Sequence, residues 1–599
     1  MANASDASLI AFGIPGTGPH TIRPAAALAL IHPTTVDGLS QPGATCPGDI
    51  YRPDPLEEID HAADLAFLLT THSLAKPEDG GEKEEPRPIT PTLQIEIDGS
   101  LATAAGVNGL TIAGGESTVR GLTINRFTGN GLILTTMGNN QVGCNLIGVD
   151  PEGYVPLGNG LNGILIDNSP GNSLGEPADL FTISSDPAPV AVPGDRNIVA
   201  ANGGNGIRVQ GALADGNAIC GNFIGVDASG QTALGNGASG IVIDAAVNTL
   251  IGDTDAEARL RNVIAGNQGS GITVNGANVS ILGNFIGTDM LGTTALGNGA
   301  DGIQLNAVMN GTVQSNLIAA SAGAGIFMTG GGNNLLRANF IGTDLWRLAA
   351  LGNQADGILV AGGAASQITS NAIVYNDGAG VKLLPAGLAI PTGIRIDSNA
   401  IHSNRQLGVD LGGDLITPND IGDLDGGPNL LQNYPVISNV QRADVSTTVI
   451  GSLSSAASTS YTLQFFVNAG CDPLGNGEGR VLLGTLPVTT DALGNVDFST
   501  SFATALPEEF IITANATDPG GNSSEFSACG KPFVPVAGLG LALAAPASSG
   551  QPGETLSGVL TVSNLGNLAD TFYVEIAGDW PIVPSVAAIR PLAPAPAPI

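Results

Sequence analysis

The sequence predicts an all-β solenoid of stacked coils with further β-modules behind it. Three observations carry that prediction. First, the stretch Asn284-Phe-Ile-Gly-Thr-Asp289, Leu296-Gly-Asn298, Gly302-Ile-Gln-Leu305 recurs from Asn145, Asn222 and Asn339. In all four copies Asp to Leu is seven residues, and the first Asn stands eighteen before the Gly-Ile pair. Second, a shorter form with nine residues between Asn and Gly begins at Asn197, Asn262, Asn316, Asn371 and Asn399. The long form is thus the short form plus a nine-residue loop, and the two alternate until the last two copies, the signature of stacked repeats. Third, glycine is abundant (86), aromatics are 4% and apolar residues still 43%, which suits short strands joined by turns better than a helical bundle or a disordered tail.

The elements follow in order. Residues 1–45 alternate strand-like pieces (Ser8-Leu-Ile-Ala-Phe12) with turns, and read as N-terminal coils. Residues 46–92 read as an insertion, with helical spacing from Asp54 to Leu74 and a charged loop from Glu78 to Arg87. Residues 93–432 are the main solenoid. Steps of 22–28 residues between leading Asn residues suit one coil of three brief strands, and longer steps carry extra sequence in 169–195 and 253–261. Residues 433–530 hold strands such as Tyr461-Thr-Leu-Gln-Phe-Phe-Val467 and read as a β-sandwich. Residues 535–599 read as part of a second such module, ending in an Ala/Pro run.

Each strand has only two or three inward Ile, Leu or Val, so a single coil cannot offset its backbone entropy and coils must stack. The leading Asn has a structural use there. It tolerates left-handed turns, and its amide can hydrogen-bond the same Asn one coil up.

The spaced pattern GNxIGTDxxGxxALGN…GIxI, over roughly residues 7–435, resembles the right-handed parallel β-helix proteins of bacterial surface and secreted origin, with a pectin-lyase-like fold. Ile14-Pro-Gly-Thr-Gly-Pro-His-Thr-Ile-Arg-Pro24 and Val36-Asp-Gly-Leu-Ser-Gln-Pro-Gly43 are similar to that family's N-terminal coils, and 433–530 to the sandwich that follows its helix. The resemblance implies an exported protein, at the bacterial surface or outside the cell. In such proteins an export signal and a CSLREA-type motif come earlier, so this start is read as truncated. Met1-Ala-Asn-Ala-Ser-Asp6 itself has neither a basic start nor an apolar run.

Composition narrows the partners. A net charge of −33 argues against nucleic acid, whose phosphates need Lys and Arg. The apolar stretch Val536 to Ala545 is too short to span a bilayer. The five cysteines (Cys46, Cys144, Cys220, Cys471, Cys529) make no disulfide framework or zinc motif. Cys471 and Cys529 lie in one segment and are either bridged or two free thiols.

No catalytic residue stands out. Asp150, Asp227, Asp289 and Asp344 each occupy the same repeat position, which marks a turn device rather than a catalyst, and Asp301 and Asp356 read alike. Glycosidases of this fold need a carboxylate pair. The galacturonan hydrolases would also show Asp-Asp and Gly-His-Gly, and neither is present. The lyases of this fold resemble one another in using a basic residue with calcium. Arg208, Lys382, Arg395 and Arg405 are candidate bases, each isolated on an acidic chain and equally explained by surface pairing.

The non-repeated acidic stretch offers Asp410, Asp414, Asn419, Asp420, Asp423 and Asp425 as oxygen ligands for Ca²⁺, or else forms a polar junction between helix and sandwich. The nine-residue loops, on every second coil, offer either a row for multivalent contact or a solvent-facing cover. The expectation is a monomeric, adhesin-like or structural β-helix protein binding a polysaccharide, a cell-surface glycan or another extended partner. The alternative is a calcium-dependent polysaccharide lyase or a glycoside hydrolase.

Overall fold

Alternating Ile, Leu and Val in strands of two to four residues cannot pair locally, so each finds its partner one coil away. The computed structural model describes residues 8–46, 91–175, 195–253, 261–276 and 278–535, with shorter pieces between 48 and 89 and between 538 and 592. Apart from the short antiparallel pair Gly48–Asp49 with Pro88–Ile89, its strands from Ser8 to Leu411 form three parallel sheets of twelve strands each. Each rung contributes one strand to the first sheet, then one to the second and one to the third. In the eighth rung these are Val279–Leu282, Phe285–Ile286 and Ile303–Asn306.

The core runs down the axis. In that rung Ile281, Ile286, Ile303 and Leu305 point inward and are almost wholly buried, and their equivalents stack above and below. The Gly of each Gly-Ile pair lets rungs close up: a Cβ on Gly302 would meet Ile318 Cγ2 at 2.5 Å and Gly325 O at 2.6 Å.

The leading Asn residues form the expected ladder. From Asn145 through Asn197, Asn222, Asn262, Asn284, Asn316, Asn339 and Asn371 to Asn399, each Nδ2 donates to the next Oδ1 at 2.8–3.1 Å. A second buried ladder was not anticipated. It links Asn159, Asn202, Asn236, Asn267 and Asn298, and resumes after Ser321 with Asn353, Asn376 and Asn404.

The nine-residue loops are turns held by their Asp. Asp289 Oδ1 accepts from Thr293 N (2.9 Å) and Thr294 N (3.1 Å), and Asp344 does the same for Leu348 and Ala349. They also interlock: Ala228 N donates to Gly153 O, Met290 N to Gly230 O, and Leu345 N to Gly292 O. Beneath them lies a second apolar cluster outside the barrel, including Leu146, Ile198, Phe223, Phe285, Phe340, Met290 and Leu345. The loops therefore form one continuous cover on the second sheet, not four separate arms.

Antiparallel sheets follow. Val436–Arg442, Thr447–Ser454 and Asn495–Phe502 make one, and Val481–Thr489, Ser460–Asn468 and Ile511–Thr517 another, the two faces of a small β-sandwich. It closes the end of the solenoid. Phe466 and Phe526, 5.3 Å apart edge to face, join the solenoid core. Glu478 accepts Ser403 N and Asn404 N, and Glu525 accepts Leu411 N and Thr417 N, so the last rung's open backbone donors are satisfied. Further strands, Leu539–Ala544 with Val559–Asn564 and Asp570–Tyr573 with Ala588–Leu592, form two hairpins.

Two disulfides are present. Cys471–Cys529 closes the sandwich segment, and Cys46–Cys144, unanticipated, ties residue 46 to the turn before Asn145. Most of the helical spacing read from Asp54 to Leu74 lies outside the described residues. His61, Asp64 and Leu65 are helical and sit far from Cys46 along the axis: His61 bonds Ser398 O and Leu482 N, and Asp64 pairs with Arg347.

Candidate functional site

The three sheets have different outer faces. The second is covered by the loop ridge. The described ends of the sequence insertions, at Cys46 and Leu93, Gly175 and Asp195, and Asp253 and Arg261, all lie at the corner between the first and second sheets. The third sheet is the side opposite that corner.

Its outward side chains fall in two rows. In one, Asp167, Gln210, Asp244, Asn275, Asn306 and Thr329 stand in register on six successive rungs. They bond along the row: Gln210 Nε2 to Asp167 Oδ1 (3.2 Å), Asn275 Nδ2 to Asp244 Oδ1, Asn306 Nδ2 to Asn275 Oδ1 (2.8 Å) and Thr329 Oγ1 to Asn306 Oδ1 (3.0 Å). The second row runs Leu165, Arg208, Val242, Thr273, Gln304, Phe327, Leu359 and Lys382. Between Thr273 and Leu359 the residues of both rows are half-buried, while their inward neighbours are buried. At about 4.8 Å per rung, the polar row is on the order of 25 Å long.

Both cations among the described residues of these rows, Arg208 and Lys382, are paired. Arg208 Nη2 lies 2.5 Å from Asp244 Oδ2. Lys382 Nζ lies 3.2 Å from Asp356 Oδ1, 3.5 Å from Asp410 Oδ2 and 3.1 Å from Gln406 Oε1. Two of the four candidate bases are thus held as ion pairs. Arg395 is on the outer row of the first sheet and Arg405 is exposed on a turn, so the four do not converge.

The six residues read as calcium ligands separate. Asp410 is buried beside Lys382, and burial raises its carboxyl against that ammonium's pull. Asp414 is exposed on a neighbouring turn. Asn419 spends its amide on Tyr434, donating to its O at 2.8 Å and accepting its N–H at 3.0 Å. Asp420, Asp423 and Asp425 do converge, offering oxygens within 4.8 Å of one another. Asp423 already accepts Asn433 N and Ser455 Oγ, and Asp420 accepts Leu424 N. Three carboxylates suit a hard cation, which would need several more oxygens from backbone or water.

The polar row was missed from sequence, yet its signal is present. It is the fourth residue after the repeated Gly (Gly163, Gly206, Gly240, Gly271, Gly302, Gly325), polar in six consecutive coils.

Comparison with known proteins agrees with this architecture. Residues 288–414 match the family described as a right handed beta helix region. With the three parallel sheets, that match defines the solenoid as a right-handed parallel β-helix. Among solved structures, the periplasmic alginate epimerase AlgG is 15% identical over 53% of this chain and 71% of its own, with a TM-score of 0.32. The tailspike gp49 of Acinetobacter baumannii bacteriophage Fri1, a capsular polysaccharide depolymerase, is 8% identical over 72% of this chain and 79% of its own, with a TM-score of 0.18. Likenesses this distant carry no argument about activity. No curated protein matches the chain in sequence. Among the described residues, no helix is long and apolar enough to cross a membrane.

Proposed function

We propose that this chain is an exported, adhesin-like binding solenoid whose third-sheet outer face holds an extended polymer, a polysaccharide or a cell-surface glycan. The observation that carries this reading is the in-register row from Asp167 to Thr329 on a face that, among the described residues, no loop covers. A row with a constant step presents the same donors and acceptors again and again. A repetitive partner then gains several weak contacts for one loss of translational freedom. The two disulfides support an oxidising, extracellular setting. Calcium is proposed at Asp420, Asp423 and Asp425, at the junction rather than on the binding face.

The test is retention of the full chain on a polysaccharide panel, with calcium and with chelator, while reducing ends and unsaturated uronate absorbance are followed. Retention without product is expected, weakened about tenfold or more by the double variant Asn275→Ala/Asn306→Ala. Turnover of any polymer would replace this reading with the lyase or hydrolase alternative and send attention to Lys382, Asp356 and Asp410. Retention that ignores the double variant would move the site off this face.

A further inference from the structure

We infer that the third-sheet face is built for an uncharged glycan, with Phe327 as the platform on which one sugar ring stacks. This rests on the binding-face reading and names its partner. The argument begins with where aromatic rings sit. Only 4% of residues are aromatic. Among the described solenoid strands, Phe223, Phe285 and Phe340 lie buried under the loop ridge. Phe327 is different. It alternates with buried Ile326 and Met328, faces outward, and stands half-buried on the open face.

Its neighbours complete a sugar-sized patch. Gln304 precedes it and Leu359 follows it in register, and Asn306 and Thr329 flank it in the polar row. A pyranose has an apolar C–H face and a rim of hydroxyls that both donate and accept. An aromatic ring serves the first, and Gln, Asn and Thr serve the second with both kinds of group.

Charge selects the class. The whole chain carries −33, which repels a polyanion, and both cations of this face are already held by Asp244, Asp356 and Asp410. A uronate or sulfate would therefore find no free cation among the described residues of the two rows. Asp244 is likewise spent on Arg208 and Asn275, and Asp167 accepts from Gln210 and Asn168, so the row is not an open acidic strip for a polycation. What remains available at the centre is amide, hydroxyl and ring.

The experiment measures binding of the full chain to three groups of soluble polymers: hydroxyethyl cellulose, galactomannan and dextran; carboxymethyl cellulose and polygalacturonate; and chitosan. Titrations run at about 50 and 500 mM NaCl, which changes screening of exposed charges severalfold. The expected result is tightest binding to an uncharged polymer, with affinity unchanged by salt. Phe327→Ala should weaken it about tenfold while Phe327→Trp retains it. Circular dichroism melting of both variants guards against misfolding. Tightest binding to a charged polymer, lost in high salt, overturns the inference but leaves the face. Loss with Asn275→Ala/Asn306→Ala but not with Phe327→Ala removes the platform. No retention of any polymer overturns the binding-face reading itself.

Discussion

Removing one rung of the leading Asn ladder should cost far more than an ordinary surface hydrogen bond. Asn284 is fully buried. Its Oδ1 accepts Asn262 N (3.3 Å) and Asn262 Nδ2 (2.8 Å), and its Nδ2 donates to Ile251 O (2.9 Å) and Asn316 Oδ1 (3.0 Å). Asn284→Ala strips partners from the Asn262 N–H and the Ile251 carbonyl, where the new methyl gives water little room. At about 1–3 kcal/mol per buried group left unsatisfied, the loss is about 2–6 kcal/mol. That is a large share of a typical domain's stability of about 5–15 kcal/mol. Because rungs depend on their neighbours, the damage should centre on the seventh to ninth rungs. Hydrogen exchange resolves that pattern, and urea unfolding gives its size. The matched control is Asn278→Ala, which breaks an exposed Asn pair with Asn248 of the same chemistry and should cost about 1 kcal/mol or less. If Asn284→Ala costs no more than that control, the ladder is not what holds the rungs in register.

Other outcomes follow from the same structure. Burial outweighs the N–H donors at Glu478 and Glu525 and pushes both to about 7 from an ordinary 4.5. Native pKa values above the unfolded ones add stability that is complete below 4.5 and lost as pH rises through 7. His402, pushed well below its ordinary 6.5 by burial and by Arg480 and Arg347, costs stability on the acid side of that value. Between about pH 6.5 and 8.5 the two glutamates should together cost roughly 1–2 kcal/mol, read as a falling melting temperature that Glu478→Gln/Glu525→Gln flattens. A melting temperature that rises over that range would refute this account of the junction. Cys46→Ser/Cys144→Ser opens a bridge spanning a separation of 98 residues and should cost about 2–4 kcal/mol, and thiol reductant, which also opens Cys471–Cys529, should destabilise the parent chain more than it destabilises the double variant. Asp289→Ala, which frees Thr293 N and Thr294 N, should cost about 1–3 kcal/mol and speed exchange in that loop while leaving the outer face of the third sheet intact.

What the sequence made legible depends on how a side chain's role repeats. The leading Asn plays one part in every coil, so a constant spacing is enough to reveal the ladder. Asp150, Asp227, Asp289 and Asp344 were readable as turn devices for the same reason, and Asp289 and Asp344 bond as that reading requires. The second ladder was harder to see, because Ser321 interrupts it and its Asn residues sit in the Leu-Gly-Asn end of one form and in a different context in the other. Cys46–Cys144 joins an insertion boundary to a turn, and no local pattern reports such a distance. The candidate calcium set does not stay together because one run of chain crosses three environments: Asp410 lies buried within the last solenoid strand, Asp414 sits on a turn, and Asp420 to Asp425 form the loop before the sandwich.

The same logic explains why the polar row of the third sheet was not read from sequence and why the use of the loops stayed open. A strand of two residues such as Phe285–Ile286 shows no alternation, so nothing in its sequence says that Phe285 faces outward. Once Leu146, Phe223, Phe285 and Phe340 are seen as an outer apolar stripe, the loops above them have a physical role, which is to keep that stripe from water. A loop committed to covering an apolar surface, and bonded to the next loop, is poorly placed to reach a partner. The third sheet has the opposite character. Its four-residue strands carry two outward rows, and the one from Asp167 to Thr329 is polar throughout and needs no cover. Of the two uses the sequence left open for the loops, the cover fits their packing, and multivalent contact is better served by the sheet that the described loops leave bare.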